Sequence, residues 1–334
     1  MKLILLTIIL ASAAPYAYCA DKAIYGQDNR RDYWSLSKER RELADSVVSI
    51  WHDSMAGQSA DKTFYTLETR AASEAPSVYC HGLKFEDQKS GAMCSGSFVG
   101  EDLVMTAGHC VLNVPGYGCE HMKVVFGFHL QKDGTSPEKI AAGDVYSCKE
   151  VVARYVDTEL DAQNPKGGDY AIIRLDREVK GKKPLKINPE SEAKAGTPLF
   201  VMGYPSGLPL KMADDASIRS TDQKDGYYMA DLDTFKGNSG SPVFNAVTKR
   251  IEGILAAGDE DIDYLESGHC FTNHINPQNG GRGEDVTKIS LVRGIIAKSL
   301  HKGGRIQTRD MPAPELQDRG VEFLSKDISF DLRN

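Results

Sequence analysis

From Cys80 onward the chain alternates short apolar runs with clusters of Gly, Pro, Asn and Asp. The runs fall at Ser97 to Val99, Leu103 to Ala107, Lys123 to Phe128, Ala171 to Leu175, Pro198 to Gly203, Gly226 to Ala230, Pro242 to Phe244 and Ile251 to Ala256. Each has the length of a strand and is too short for a stable helix. Many short strands without long helices between them predict an all-β barrel or sandwich. Before Cys80 the pattern is more polar, with one helix-like stretch at Ser37 to Ala44 and one strand-like stretch at Ser46 to Trp51. Val286 to Ala297 reads as a strand running into a helix, and Arg305 to Asn334 as a polar, proline-bearing tail. Lys and Pro concentrate at Lys180 to Pro189, which predicts a connector between two β units. The expected division is an N-terminal extension or possible propeptide with first strands over 21–75, β units over 76–185 and 186–300, and a tail over 301–334.

The first twenty residues add a different element. Met1 and Lys2 precede the apolar run Leu3 to Leu10, followed by small residues up to Ala20. This order predicts a signal peptide cleaved near Ala20 or Ala17, hence export to a periplasm or the medium. The run is too short to cross a bilayer, and no later stretch approaches the roughly 20 apolar residues a spanning helix needs, so no membrane anchor is expected. Cys19 lacks the aliphatic and small neighbours of a lipoprotein site. Without it, Cys80, Cys94, Cys110, Cys119, Cys148 and Cys270 remain. An even set in an exported chain predicts three disulfides. No C-x-x-C pair and no H-E-x-x-H occurs, so no metal is expected. A net charge of -7 gives no reason to expect a nucleic-acid partner.

Three segments carry candidate chemistry. Hydrolysis of a peptide bond by a serine needs a hydroxyl beside an imidazole, a carboxylate that orients the imidazole, and backbone N–H donors for the oxyanion. Thr106 to Cys110, TAGHC, ends an apolar strand and fixes His109 at a sheet edge. Gly168 to Leu175, GDYAIIRL, puts Asp169 just before an apolar run, where it would be half buried. Gly237 to Pro242, GNSGSP, flanks Ser239 with glycines that permit a tight turn and leave the amides of Gly237 and Ser239 room to face a substrate carbonyl.

In this order the three segments resemble the His, Asp and Ser motifs of the chymotrypsin-like serine peptidases, over about residues 76 to 300. The resemblance implies two six-stranded antiparallel β-barrels with the active site in the cleft between them, a short C-terminal helix, polypeptide substrates and no cofactor. It assigns catalytic roles to His109, Asp169 and Ser239, an oxyanion hole to Gly237 and Ser239, and a disulfide to Cys94 and Cys110. The other four cysteines allow three connectivities, of which Cys119 with Cys148 and Cys80 with Cys270 is preferred. The chain is taken as a monomer.

The departures refine this. Asn238 stands where animal trypsins have the Asp that receives a new N-terminal ammonium. With Ser241 and the segment Ile24 to Arg30, it is closer to the bacterial glutamyl endopeptidase branch. That branch uses a pocket histidine at a place that falls on or beside Leu255, within a strand ending at Gly258, and none is present. Asp233 sits six residues before Ser239, where trypsins place their pocket carboxylate. With Thr234, Leu255 and Gly258 it predicts cleavage after Arg or Lys. Glutamyl-type specificity is the alternative on the same fold, and a catalytically silent binding protein is the rival of another class. The acidic run Asp259 to Asp263 is expected to be a solvated loop, and Thr69 to Ala71 a candidate propeptide cleavage site.

Overall fold

The computed structural model describes residues 22–74, 78–112, 116, 118–132, 134–156, 167–189, 193–221 and 226–300. The expected signal segment and the tail lie outside the described residues. Twelve strands form the two barrels. The first consists of β1 (Val47–His52), β2 (Cys94–Gly100), β3 (Leu103–Thr106), β4 (Met122–Val125), β5 (Val145–Val156) and β6 (Asp169–Leu175). They hydrogen-bond antiparallel in the order β4-β5-β6-β3-β2-β1, and β1 pairs with β4 to close the ring. The second consists of β7 (Pro198–Gly203), β8 (Lys211–Ser220), β9 (Tyr227–Ala230), β10 (Pro242–Asn245), β11 (Ile251–Ala257) and β12 (Glu284–Lys288). Its order is β7-β10-β11-β12-β9-β8, closed by β7 against β8.

The strands read as continuous apolar runs because many bury both faces. Alternate residues fill each barrel, and the intervening ones fill the seam between the barrels. On β1, Val48 and Ile50 point into the first barrel, while Val47 and Trp51 join the seam. On β6, Ala171 and Ile173 fill the barrel, and Ile172 meets the seam. Phe200, Met202, Phe244 and Ile254 complete the seam from the second barrel, whose interior is lined by Leu199, Val201, Leu255 and Val286. Helix α1 (Lys38–Ala44) is capped by Ser37, whose hydroxyl accepts from Arg40 N. Helix α2 (Arg293–Leu300) lays Ile296 on the seam.

The strand-like stretch expected at Ser46 to Trp51 is β1, which supplies one of the six strands of the first barrel. Cleavage at Thr69 to Ala71 would fall between β1 and β2, within the barrel whose strand β1 carries the fully buried Trp51. Trp51 donates its indole N–H to Ser49 Oγ at 2.8 Å and meets Phe128 edge-on at 5.0 Å between ring centroids. Trp51→Ala is expected to destabilise the protein by about 3–5 kcal/mol. Urea unfolding checks this, and a loss below ~1 kcal/mol would show that β1 is dispensable to the barrel.

Upstream of β1, residues 22–32 run along the second barrel as a strap. Ile24–Tyr25 pairs with Ile275–Asn276, and Arg31–Asp32 pairs with Lys211 and Met212 of β8. The disulfides join Cys94 to Cys110, Cys119 to Cys148 and Cys80 to Cys270, the preferred set among the connectivities.

Candidate active site

His109 follows β3 in a single 3-10 turn, Gly108–Cys110, tied to β2 by the Cys94–Cys110 disulfide. Asp169 opens β6, and the antiparallel register sets Ala171 opposite Thr106, which brings the two side chains together. Asp169 Oδ2 lies 2.5 Å from His109 Nδ1, while Oδ1 accepts from Gly108 N at 2.6 Å and His109 N at 3.0 Å. The second barrel braces the same residue, since Thr287 Oγ1 accepts from Asp169 N and donates to Asp169 O, both at 2.9 Å. Burial by itself would raise the Asp169 carboxyl, but the His109 imidazole and these donors outweigh it and hold the group below the usual carboxylate range. Asp169 is thus an anion at any pH where an imidazole titrates. The Nδ1–H···Oδ2 bond leaves His109 Nε2 as the nitrogen able to take a proton.

Ser239 lies in the turn between β9 and β10, clamped to β2: Ser95 N donates to Ser239 O at 2.8 Å, and Ser95 Oγ to Gly237 O at 2.7 Å. Gly237 has φ +89°, and a Cβ there would lie 2.4 Å from Tyr204 O, so only glycine fits. The amides of Asn238, Gly240 and Ser241 donate to Phe235 O, Leu255 O and Asn238 O. Among the described residues, those of Gly237 and Ser239 donate to no protein acceptor. Two backbone amides this close along the chain, with no acceptor among the described residues, are the kind of donors an oxyanion needs.

The residues expected to set specificity each make other contacts. Asp233 is 3% exposed and holds the strap, its Oδ1 accepting from Tyr25 N at 2.8 Å and its Oδ2 from Asn29 N at 3.0 Å. Burial pushes this carboxyl up to about 6 despite those amides. Asp233 therefore binds backbone rather than offering both oxygens to a substrate. Leu255 points into the second barrel's interior. Thr234 and Gly258 instead meet a residue that no local motif marks, Glu284, the first residue of β12. Thr234 Oγ1 donates to Glu284 Oε2 at 2.9 Å, and a Cβ on Gly258 would fall 2.1 Å from the same oxygen. Glu284 is 0% exposed, and its Oε1 accepts from Ala23 N at 3.1 Å and Tyr25 Oη at 3.3 Å. Burial pushes its carboxyl well up, partly offset by the Lys22 ammonium.

Lys22 itself is 0% exposed and donates from Nζ to Ser239 Oγ at 2.9 Å. Its main-chain N bonds Asp261, which also accepts from Lys236 N at 2.8 Å. Asp261 is buried, and burial raises it to about 6, so this residue of the acidic run clamps the strap while Glu260 beside it stays exposed. Asp259 of the same run accepts from Arg282 N at 3.0 Å and Asn276 Nδ2 at 3.3 Å.

Two other groups place potential metal ligands together among the described residues. Cys94, His109 and Cys110 form one, with both sulfurs spent in a disulfide. His52, Asp53 and His121 form the other, where His52 Nε2 already faces Gly116 O at 2.8 Å and Nδ1 faces Ser54 Oγ at 2.7 Å.

Residues 94–254 match the trypsin-like peptidase domain family. Snake venom serine protease 3 of Protobothrops jerdonii is 26% identical over 212 residues, covering 56% of this chain and 75% of the relative. Glutamyl endopeptidase of Staphylococcus aureus (strain MRSA252) is 23% identical over 222 residues, covering 58% of this chain and 56% of the relative. Solved structures similar to the chain include a Glu endopeptidase in complex with MPD, at 17% identity and TM-score 0.47, covering 83% of this chain and 99% of that one. The Vibrio cholerae VesB protease gives 17% identity and TM-score 0.47, covering 82% of this chain and 67% of that one. Residues 94–254 thus carry a trypsin-like peptidase domain set in two closed six-stranded barrels, which identifies the chain as a serine endopeptidase.

Proposed function

We propose that the protein is exported and hydrolyses polypeptides through an acyl-enzyme on Ser239, preferring Arg or Lys before the scissile bond. The single observation that carries the mechanism is the 2.5 Å contact between His109 Nδ1 and Asp169 Oδ2. It fixes the tautomer in which Nε2 can act as a base. Ser239 Oγ attacks the scissile carbonyl as His109 Nε2 takes its proton, and the carbonyl oxygen becomes an oxyanion facing the amides of Gly237 and Ser239. His109 then returns the proton to the leaving amine, whose C–N bond breaks and leaves an ester on Ser239. Water deprotonated by the same imidazole hydrolyses the ester and regenerates the serine. Export is supported by three disulfides, which persist in oxidising compartments. The preference for a basic side chain is supported by two buried carboxyl groups, Asp233, six residues before Ser239, and Glu284, which meets Thr234.

A fluorophosphonate probe should add one phosphonyl group per chain, located on Ser239 by peptide mass mapping. Cleavage sites generated in denatured casein should lie after Arg and Lys. Folded protein that neither labels nor cleaves would favour the catalytically silent binding protein, and sites concentrated after Glu would favour the glutamyl alternative.

A further inference from the structure

Where β1 ends and β4 begins, three side chains that the peptidase mechanism does not use come together. The antiparallel register sets Met122 of β4 opposite His52 of β1, so the next residues outward, His121 and Asp53, lie side by side. His121 closes the 3-10 turn Cys119–His121, which the Cys119–Cys148 disulfide pins to β5. Asp53 Oδ2 lies 3.0 Å from His121 Nδ1, and Asp53 Oδ1 lies 3.3 Å from His52 Nδ1. The two imidazole rings are 11° from parallel, with centroids 5.6 Å apart. Two imidazoles and a carboxylate thus hold three ligand atoms within 4.8 Å of one another. Asp53 and His121 are 68 residues apart, so no short motif marks the cluster.

The protonation of His52 decides what the cluster can hold. Its Nε2 lies 2.8 Å from Gly116 O. A carbonyl only accepts, so Nε2 carries the proton and the neutral ring keeps its lone pair on Nδ1. Nδ1 then stands 3.3 Å from a carboxylate oxygen as a second acceptor, a juxtaposition that a shared cation relieves. An imidazole whose outer N–H is held by a backbone carbonyl while its other nitrogen is offered to an ion is the arrangement ligating histidines nearly always show.

We propose that His52, Asp53 and His121 form a binding site for a divalent transition-metal ion of the zinc type, which clamps the end of β1 to the turn that enters β4. The spacing suits such an ion: ligands about 2.1 Å from a tetrahedral centre stand roughly 3.4 Å from one another, close to the 3.0 and 3.3 Å separations of the free cluster. Two nitrogens and one oxygen favour zinc over calcium or magnesium, which take oxygen ligands. Three protein ligands leave the fourth position to water, and the half-buried cluster is open enough to admit it. The ion displaces Ser54, which donates to His52 Nδ1 from Oγ at 2.7 Å and from N at 3.2 Å. Ser54 is exposed, so water takes over those two hydrogen bonds at little cost.

The test titrates the full chain, carrying no histidine tag, with zinc chloride in a calorimeter and follows thermal unfolding at the same zinc concentrations. Wild type is expected to bind zinc saturably at this site and to gain about 4–8 °C in Tm at a hundredfold excess over Kd. Calcium chloride at the same concentration should give no such gain. His121→Ala and Asp53→Asn each remove one ligand from the surface end of the cluster. Each should weaken this binding by about 100-fold or more, because losing even an outer partner of a ligating histidine costs about 10–100-fold. Ser54→Ala removes a competitor for His52 Nδ1 and should bind zinc as tightly as wild type or more tightly. Urea unfolding without zinc checks that the variants fold; if one of the two ligand variants does not, the other carries the comparison. No saturable zinc binding by wild type overturns the proposal. So does binding of equal affinity and stoichiometry in wild type, His121→Ala and Asp53→Asn, which would place the ion on His109 or another histidine. Neither result depends on the peptidase reading, which the fluorophosphonate tests separately.

Discussion

Ser239→Ala is expected to lower kcat for peptide hydrolysis by about a million-fold, to the level that binding and the amide donors alone sustain. The magnitude follows from what the hydroxyl does. Without Oγ there is no nucleophile for His109 to activate, so the acyl-enzyme route closes and only attack by solvent remains. The fold should survive, because the contacts that place this turn are backbone ones. Ser95 N still reaches residue 239's carbonyl, Ser95 Oγ still reaches Gly237 O, and Gly240 N still reaches Leu255 O. The side chain loses one partner, the Lys22 ammonium, so the strap rather than the barrel should loosen. Residual turnover of purified protein on a chromogenic peptide, with the near-UV spectrum as the check on folding, measures the effect. Activity within about a thousandfold of wild type would move the nucleophile elsewhere.

How much of this was legible in the chain depends on whether a feature is local. Pro198 to Gly203 is a strand with the bounds its apolar run predicts, since a doubly buried strand is simply a run of apolar residues between breakers. β5 was not legible. Lys149, Glu150 and Arg154 interrupt its apolar positions, and register shifts between Cys148 and Glu150 and between Val151 and Ala153 break the period of two that would reveal it. β8 was hidden in the same way by Asp214 and Asp215, the latter at φ +64°. At the candidate site, His109, Asp169 and Ser239 can be picked out from the chain because each sits in a short motif whose neighbours carry the same local geometry. Thr287, Lys22 and Glu284 were not, since each reaches the site from a distant part of the chain. Asp233 shows the limit of an offset: its distance from Ser239 along the chain was right for a pocket carboxylate, but the strap amides of Tyr25 and Asn29 claim both its oxygens.

Asp169→Asn should lower kcat by about ten-thousandfold while leaving KM nearly unchanged. Asp169 accepts three hydrogen bonds, two at Oδ1 from the amides of Gly108 and His109 and one at Oδ2 from His109 Nδ1. An asparagine can keep its carbonyl oxygen toward the two amides, because they can only donate. Its amide nitrogen then faces Nδ1 and donates to it. The imidazole must answer by carrying its proton on Nε2, the nitrogen that has to accept the proton of Ser239. The base is thereby converted into a donor while every heavy atom stays in place, so stability should change little and binding hardly at all. Nitrogen NMR of the imidazole should show the proton moved from Nδ1 in wild type to Nε2 in the variant, alongside the drop in kcat. A variant with the shifted tautomer but turnover within about tenfold of wild type would show that His109 is not the base; an unshifted tautomer with lost turnover would make Asp169's charge, rather than its orientation of the ring, the decisive contribution.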